Sequence, residues 1–473
     1  MRQGGAQPGH PRGPRRPRLP VHGCRRVRRC RVIESRHLEQ LAAHAFEGLA
    51  PGEDLLLSLQ AEDSDFVRFN RGRVRQPGSV AQADLQLRLI EGQRHASIEL
   101  SLSGVLDTDR RRIDDAMEML RPIVASAPPD PHLLWATDPV HVHHEAPGAP
   151  PDALTIARDV VDLAQGQDLV GILVSGSVAS GFMSSRGQRC WDVRHSTMLD
   201  WCLVHQGDKA VKSLVANTGW DPAEVAEAMD AARSQLALLQ RPPKKLEPGR
   251  YRCLLSPSAL GEVMELLCWG GFSERGLRTR MSPLTRLRDG SDRLSPRVTV
   301  YEDTAHGLGP PFSDKGFIKP PRVGLIEHGT LVGSMVSPRS AQEYGLQTNG
   351  AADHESPEAL VMEPGTLQDR EALQRLGTGL YVSNLWYLNY SDRPAGRITG
   401  MTRFATLWVE DGEPVAPTEV MRFDESIFHL LGGGLEALGD SLALLPSTST
   451  YERRSTSSMR LPTALIDGVR FTL

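Results

Sequence analysis

At 473 residues and 40% hydrophobic content, the chain exceeds one ordinary domain and holds enough apolar material for one large or two moderate cores. Its formal charge of −4 is unevenly spread: residues 1–31 carry ten arginines and no acid, leaving 44 basic against 58 acidic residues, a formal −14, for the remainder. Such an acidic body argues against nucleic acid as a partner, and six cysteines without a Cys-x-x-Cys pair argue against a disulfide framework or a zinc ribbon.

The segment Met1 to Arg31 is rich in Pro, Gly and Arg and has no apolar run, so it is expected to be disordered, and a functionally inert extension is favoured over a transit peptide or an anchor to an anionic surface. No signal-peptide core and no run of 18 apolar residues is present, which points to the cytoplasm and to no membrane association. Order is expected from Val32. Leu38, Leu41, Ala42, Ala45 and Phe46 share one helical face, and Gly48 ends that helix. Period-two alternation predicts strands over 55–60, 66–70, 80–90 and 95–102, followed by a helix over 109–125 with Ile113, Met117, Leu120 and Val124 on one side.

Residues 130–152 are proline-rich. They include His141-Val-His-His-Glu145, where Pro147, Pro150 and Pro151 forbid the helix that would gather the imidazoles, so a solvated loop is expected and not a metal site. A helix over 152–164 leads into strands at 170–174, 189–194 and 198–204. A well-signed helix then starts at Asp221 and Pro222, with Glu224 placed for a capping box and Ala226, Met229, Ala232, Leu236 and Leu239 on its buried face. The proline-rich stretch 241–249 reads as a linker between an N-terminal α+β domain (32–240), with an antiparallel sheet and long helices, and a β-rich C-terminal domain (250–473).

In that second half, Tyr251–Leu255 reads as a strand. Ser256 and Pro257 open a buried helix whose Leu260, Val263, Met264, Leu267 and Cys268 recur at helical spacing until Gly270-Gly271. Strands are expected at 297–301, 322–327, 330–336, 380–387, 397–410 and 414–422, with Glu327-His-Gly329 and Val409–Glu413 as hairpin turns. A helix over 424–438 and a closing strand over 461–473 complete an overall α+β class, whose C-terminal sheets are expected to be antiparallel with short helices between them.

Several passages together resemble the TldD/PmbA family. They are the proline-started helix at 256–270, Phe312-Ser-Asp-Lys-Gly316, Ser340 to Gly350, and Asn384 to Gly412 with Tyr390–Gly396 and Leu407–Gly412. Proteolytic members of that family carry His-Glu-x-x-x-His on such a helix. Carried onto this chain, the motif positions fall on Glu265, Leu266 and Gly270, none of which reproduces it, and the tail Pro446–Met459 lacks the late cysteine ligand. The resemblance therefore implies no catalytic residue and no metal in this chain, with zinc expected in a partner subunit. It implies the metal-free PmbA or TldE type, paired with a TldD-like zinc metallopeptidase subunit and handling unfolded or short peptides. Tyr387, Asn389, Tyr390, Arg393 and Arg397 are the candidate peptide or interface contacts.

Glu262, Glu265 and Cys268 share a helix face, yet read more readily as solvated acids and a packed thiol than as a degenerate metal site. Two alternatives stay open. One is a stand-alone peptide-binding adaptor. The other is a self-sufficient hydrolase, which the absence of a Gly-x-Ser-x-Gly elbow at Gly176-Ser177 or Ser180-Gly181 leaves unsupported.

Overall fold

The structure, a computed structural model, describes residues 33–206 and 209–472. The arginine-rich extension 1–31 lies outside the described residues. Helix α1 (Ser35–Glu47) precedes a meander of β1 (Glu53–Asn70), β2 (Arg73–Glu91) and β3 (Arg94–Ser101), which α2 (Leu106–Ser126) covers. Then follow β4 (His141–Glu145), α3 (Ala153–Leu163), the long β5 (Asp168–Ser184) and β6 (Arg189–Gln206), β7 (Lys209–Asn217) and α4 (Pro222–Leu239). Among the described residues these strands form one sheet in the order β3-β2-β1-β5-β6-β4, with β7 also on β6.

Three local expectations change. The pairs of short strands expected at 55–60 and 66–70, and at 189–194 and 198–204, are each one continuous strand. The interruption at Glu62 to Asp65 is a run of polar side chains within an unbroken ladder to β2 and β5. The His141–Glu145 segment is no loop: it pairs in parallel with Arg189–Val193, its prolines lying outside the strand. Helix α4 is capped by the Asp221 carboxylate, which accepts the Ala223 N–H at 2.9 Å, and it buries Val225 rather than Ala226.

The second half runs β8 (Gly249–Leu255), α5 (Pro257–Cys268), α6 (Glu274–Arg278), α7 (Thr285–Arg288), β9 (Val300–Glu302), β10 (Val323–Glu327), β11 (Thr330–Leu331), α8 (Pro338–Tyr344), β12 (Ala359–Met362) and α9 (Ala372–Leu376). It continues with β13 (Gly379–Asp392), β14 (Arg397–Glu410), β15 (Glu413–Pro417), β16 (Arg422–Ser426), β17 (Leu435–Leu438), β18 (Ala443–Pro446), β19 (Ser458–Leu461) and β20 (Ala464–Phe471). One sheet has the order β11-β10-β9-β12-β19-β18. The other runs β13-β8-β20-β16-β14, and the additional β13–β14 pairing closes it into a ring, a way of removing sheet edges.

The fold is α+β, but the sheets are mixed rather than purely antiparallel. β4 pairs with β6, β8 with β13 and β12 with β19, all in parallel. The helix expected over 424–438 is instead strand β16, a helical turn at His429–Gly433, and strand β17. Alternating burial of Phe423, Glu425 and Ile427, then three consecutive glycines, favour strands flanking one turn over a continuous helix. The two hairpin turns form where expected, with His328 and Gly329, and Asp411 and Gly412, at positive φ.

Helix α5 is sandwiched in the largest apolar cluster, against the barrel residues Cys253, Leu255, Leu380 and Val382 on one side and Val300, Leu360 and Leu461 on the other. The 241–249 segment is docked on the barrel. Lys244 Nζ lies 2.7 Å from Glu410 and 4.4 Å above the Trp408 ring, and Arg241 donates to the Val415 carbonyl at 2.8 Å. Ala405 and Leu407 of β14 pack into the same apolar cluster as α3 and α4, so apolar packing runs across that segment.

Candidate functional site

The chemistry of α5 divides by face. Ser256 caps it, its Oγ accepting the Ala259 N–H at 3.1 Å and donating to the Ser383 carbonyl, while Pro257 supplies a preset φ at the first helical position. Ala259, Leu260, Val263, Met264, Leu266 and Leu267 face the core. The remaining face, Ser258, Gly261, Glu262, Glu265 and Cys268, lines a cleft of about 470 Å³. Its opposite wall is Leu445–Ser449 together with Ser455 and Ser457–Met459. β7 contributes Lys212 to Leu214, and Pro357, Leu360 and Asn384 complete the lining. Gly261 allows the close approach of the walls, since a Cβ there would stand 3.0 Å from Leu445. The two segments singled out in the sequence, the helix at 256–270 and the tail at 446–459, thus meet across one cavity although nearly 200 residues separate them.

The three family motif positions do not converge. Glu265 faces the cleft. Leu266 is only 7% exposed and packs in the core, and Gly270, at φ +79, lies past the helix end beside Arg393. Among the described residues no group of three or more His, Cys, Asp or Glu side chains stands close enough to hold a metal ion. The cleft's own donor set is also ill-suited to zinc. Burial, helped by Glu302 and Glu265, holds the Cys268 thiol far above its ordinary range, so it stays protonated, and no imidazole lines the cavity.

Burial and then the neighbouring Glu265 push the Glu262 carboxyl above its usual pKa, with Lys212 opposing. Lys212 itself is engaged, its Nζ 3.1 Å from Asp200. Asn384, 7% exposed, presents a carboxamide whose Oδ1 finds no hydrogen-bond partner.

The tail loop between β18 and β19 is tied to the N-terminal sheet. Arg454 donates from its backbone to Glu62 at 3.0 Å and from its guanidinium to Ser64 at 3.1 Å and to Ser196, while Arg453 lies 3.4 Å from Glu99. Burial pulls the Arg454 guanidinium below its usual pKa, and Glu62 works against that shift. On the far side of this loop lies a second, more polar chamber of about 500 Å³, lined by Asp84, Glu99, Asp314, Lys319, Arg453 and Arg454 among others. The loop is a partition between the two.

The five candidate contacts sit elsewhere. Tyr390 donates to the Leu266 carbonyl at 2.9 Å, and Arg393 donates to the Trp269 carbonyl at 2.6 Å and the Met281 carbonyl at 3.0 Å, so both brace the C-terminal end of α5. Arg397 pairs with Asp424 across β14 and β16, and the Asn389 carboxamide accepts the Tyr390 N–H. Tyr387 is 68% exposed at φ +53, its ring 4.3 Å from that of Trp386, which Arg403 overlies at 4.2 Å. None of the five lines the cleft. Sequence reading missed Asn384, Lys212 and Arg454 as site residues, and the dense Ser/Thr run around Arg453-Arg454 was the available signal for the last.

Elsewhere, Ser177 Oγ and His195 Nδ1 are 2.9 Å apart, but the other imidazole nitrogen meets the Gly148 carbonyl rather than a carboxylate, and the pair lines neither cavity.

Residues 248–473 match the family model described as the PmbA/TldA metallopeptidase C-terminal domain. Its C-terminal region belongs to the TldD/PmbA family. No curated protein matches the sequence. Among solved structures, the chain is similar to TldE from Thermococcus kodakarensis, with a TM-score of 0.77 and 15% identity over 92% of this chain and 100% of that one. It is also similar to a Thermotoga maritima protein at TM-score 0.73 and 14% identity, over 92% of this chain and 99% of that one. A Bacteroides thetaiotaomicron protein follows at TM-score 0.68 and 17% identity, over 92% and 98% respectively; both carry a proposed gyrase-modulator designation. At these identities the likeness establishes the fold. No helix among the described residues is long and apolar enough to cross a membrane.

Proposed function

We propose that this chain is the metal-free subunit of a TldD/PmbA-type metallopeptidase complex, holding unfolded or short peptides in the cleft beside α5 for a zinc-bearing, TldD-like partner in the cytoplasm. The observation that carries the reading is the face division of α5. The position of the family's acid is a core leucine and that of its second histidine is a glycine beyond the helix, so the scaffold persists where the ligand geometry does not. The fold likeness to a protein named TldE supports the same assignment. The stacked, exposed Trp386 and Tyr387, together with Trp269 at 62% exposure beside Arg393, are aromatic and arginine side chains of the kind that anchor protein interfaces, and they support a partner surface near the barrel hairpin.

The test is reconstitution with a His-Glu-x-x-x-His relative from the same genome. A stoichiometric complex that cleaves an unfolded protein, with activity lost to a chelator and absent from this chain alone, is the expected result. Chelator-sensitive hydrolysis by the isolated chain would overturn the assignment.

A further inference from the structure

Resting on the reading that the α5 cleft holds peptide, the geometry points to its substrate class: the cleft receives the cationic side chain of a lysine or arginine, held by Glu262, Glu265 and the carboxamide of Asn384.

The charge balance of the lining carries the argument. Glu262 and Glu265 stand three residues apart on one helix face, so their carboxylates are neighbours with like charge. Neither has an ion-pair or hydrogen-bond partner among the described residues. Lys212, the lysine of the lining, is already satisfied by Asp200 at 3.1 Å, and the remaining lining is serine, threonine, asparagine and apolar side chains. A cation entering the cleft relieves the repulsion between the two glutamates.

The independent observation is Asn384. It is more than nine-tenths buried, it lines the cleft, and its Oδ1 has no partner in the protein. A buried amide acceptor left without a donor costs about 1–3 kcal/mol, a cost that a ligand N–H removes. Leu214, Leu360, Leu445 and Met459 offer apolar surface for the methylene stem that precedes an ammonium or guanidinium, and about 470 Å³ accommodates such a side chain with adjoining backbone. Burial, and after it the like-charged Glu265, raises the proton affinity of Glu262, with Lys212 opposing.

The experiment uses the full chain and fluorescently labelled, N-acetylated, alanine-based peptides carrying one central lysine, arginine, acetyl-lysine or norleucine, with binding read by anisotropy at low and at high salt. The lysine and arginine peptides should bind at least about fivefold more tightly than the acetyl-lysine and norleucine peptides, with the difference shrinking in salt. The Glu262→Gln/Glu265→Gln double variant should lose that difference and bind the four peptides alike. Asn384→Asp should widen it. Equal binding of all four peptides, no binding of any, or a preference that survives in the double variant overturns the inference. So does displacement of peptide by zinc or magnesium alone that the double variant abolishes, which would make this a metal site. Proteolysis by the reconstituted complex judges the subunit assignment separately, since it can succeed with or without a basic preference.

Discussion

The two long walls of the cleft are held by opposite means. Helix α5 is fixed by apolar burial on most of its circumference and by a cap at its start, so its cleft-facing residues keep their positions whatever the cavity contains. The facing loop, 447–457, contributes almost no apolar burial. A few charged and polar contacts from Arg453 and Arg454 to Glu62, Ser64, Glu99 and Ser196, residues hundreds of positions away, hold it in place. One wall is set by packing, the other by electrostatics, and the second is the one a ligand or partner can rearrange at modest cost.

The largest effect should come from attacking the packed wall. Leu266→Glu, which restores the acid of the family motif, places an unpaired carboxylate in the core and should destabilise the fold by about 3–5 kcal/mol in urea unfolding. It should not confer zinc binding. A cost below about 1 kcal/mol would mean that α5 is not seated as described.

Cutting the electrostatic tie should cost less and act locally. Arg454→Ala keeps the backbone N–H bond to Glu62 but removes the guanidinium's bonds to Ser64 and Ser196 and its attraction for Glu62, for an expected loss of about 1–3 kcal/mol. Hydrogen exchange should accelerate across 447–457 while α5 amides stay protected. Uniform acceleration in both segments would erase the distinction between the walls.

A third probe sharpens the contrast through pH. Behind α5, Glu302 is buried and accepts the N–H groups of Glu358 and Ala359. Burial, with Glu358 adding to it and the Ala359 N–H and Lys319 opposing, pushes its carboxyl up to about 7 from 4.5. The folded state therefore binds a proton that the unfolded state has released between those values, so this group makes stability fall as pH rises from 4.5 through 7. Glu302→Gln, which keeps an acceptor for the N–H groups, should flatten that decline, an effect of at most about 3 kcal/mol seen in denaturation midpoints across the window. An unchanged pH slope would refute the assignment.

Much of the framework was legible locally. Ser256-Pro257 marks the start of α5, and the Glu327–Gly329 and Val409–Glu413 turns announce their hairpins, because caps and positive-φ turns depend on a few adjacent residues. The strand β1 was not legible as a single element. Glu62 and Ser64 look like an interruption, yet they are buried polar residues of an unbroken strand, met by Arg454 from the far end of the chain. The 424–438 stretch misled for a related reason: its apolar content suits either a helix or strands, and pairing of Phe423 with Phe471 and of Leu435 with Ile466 decides for strands. Tyr390 and Arg393 read as gripping residues because a polar aromatic loop looks alike whether it meets a ligand or, as here, the carbonyl end of a helix.

By itself the sequence determined which residue types occupy the motif positions of α5, and hence that Glu265, Leu266 and Gly270 supply no imidazole, since side-chain identity is fixed before folding. The tertiary structure alone decided that Leu266 faces the core, that Glu262 and Glu265 face a cavity with Asn384, and that a distant arginine loop forms the opposite wall. Those facts depend on contacts between segments up to 392 positions apart, and local preference carries no information about contacts at that range.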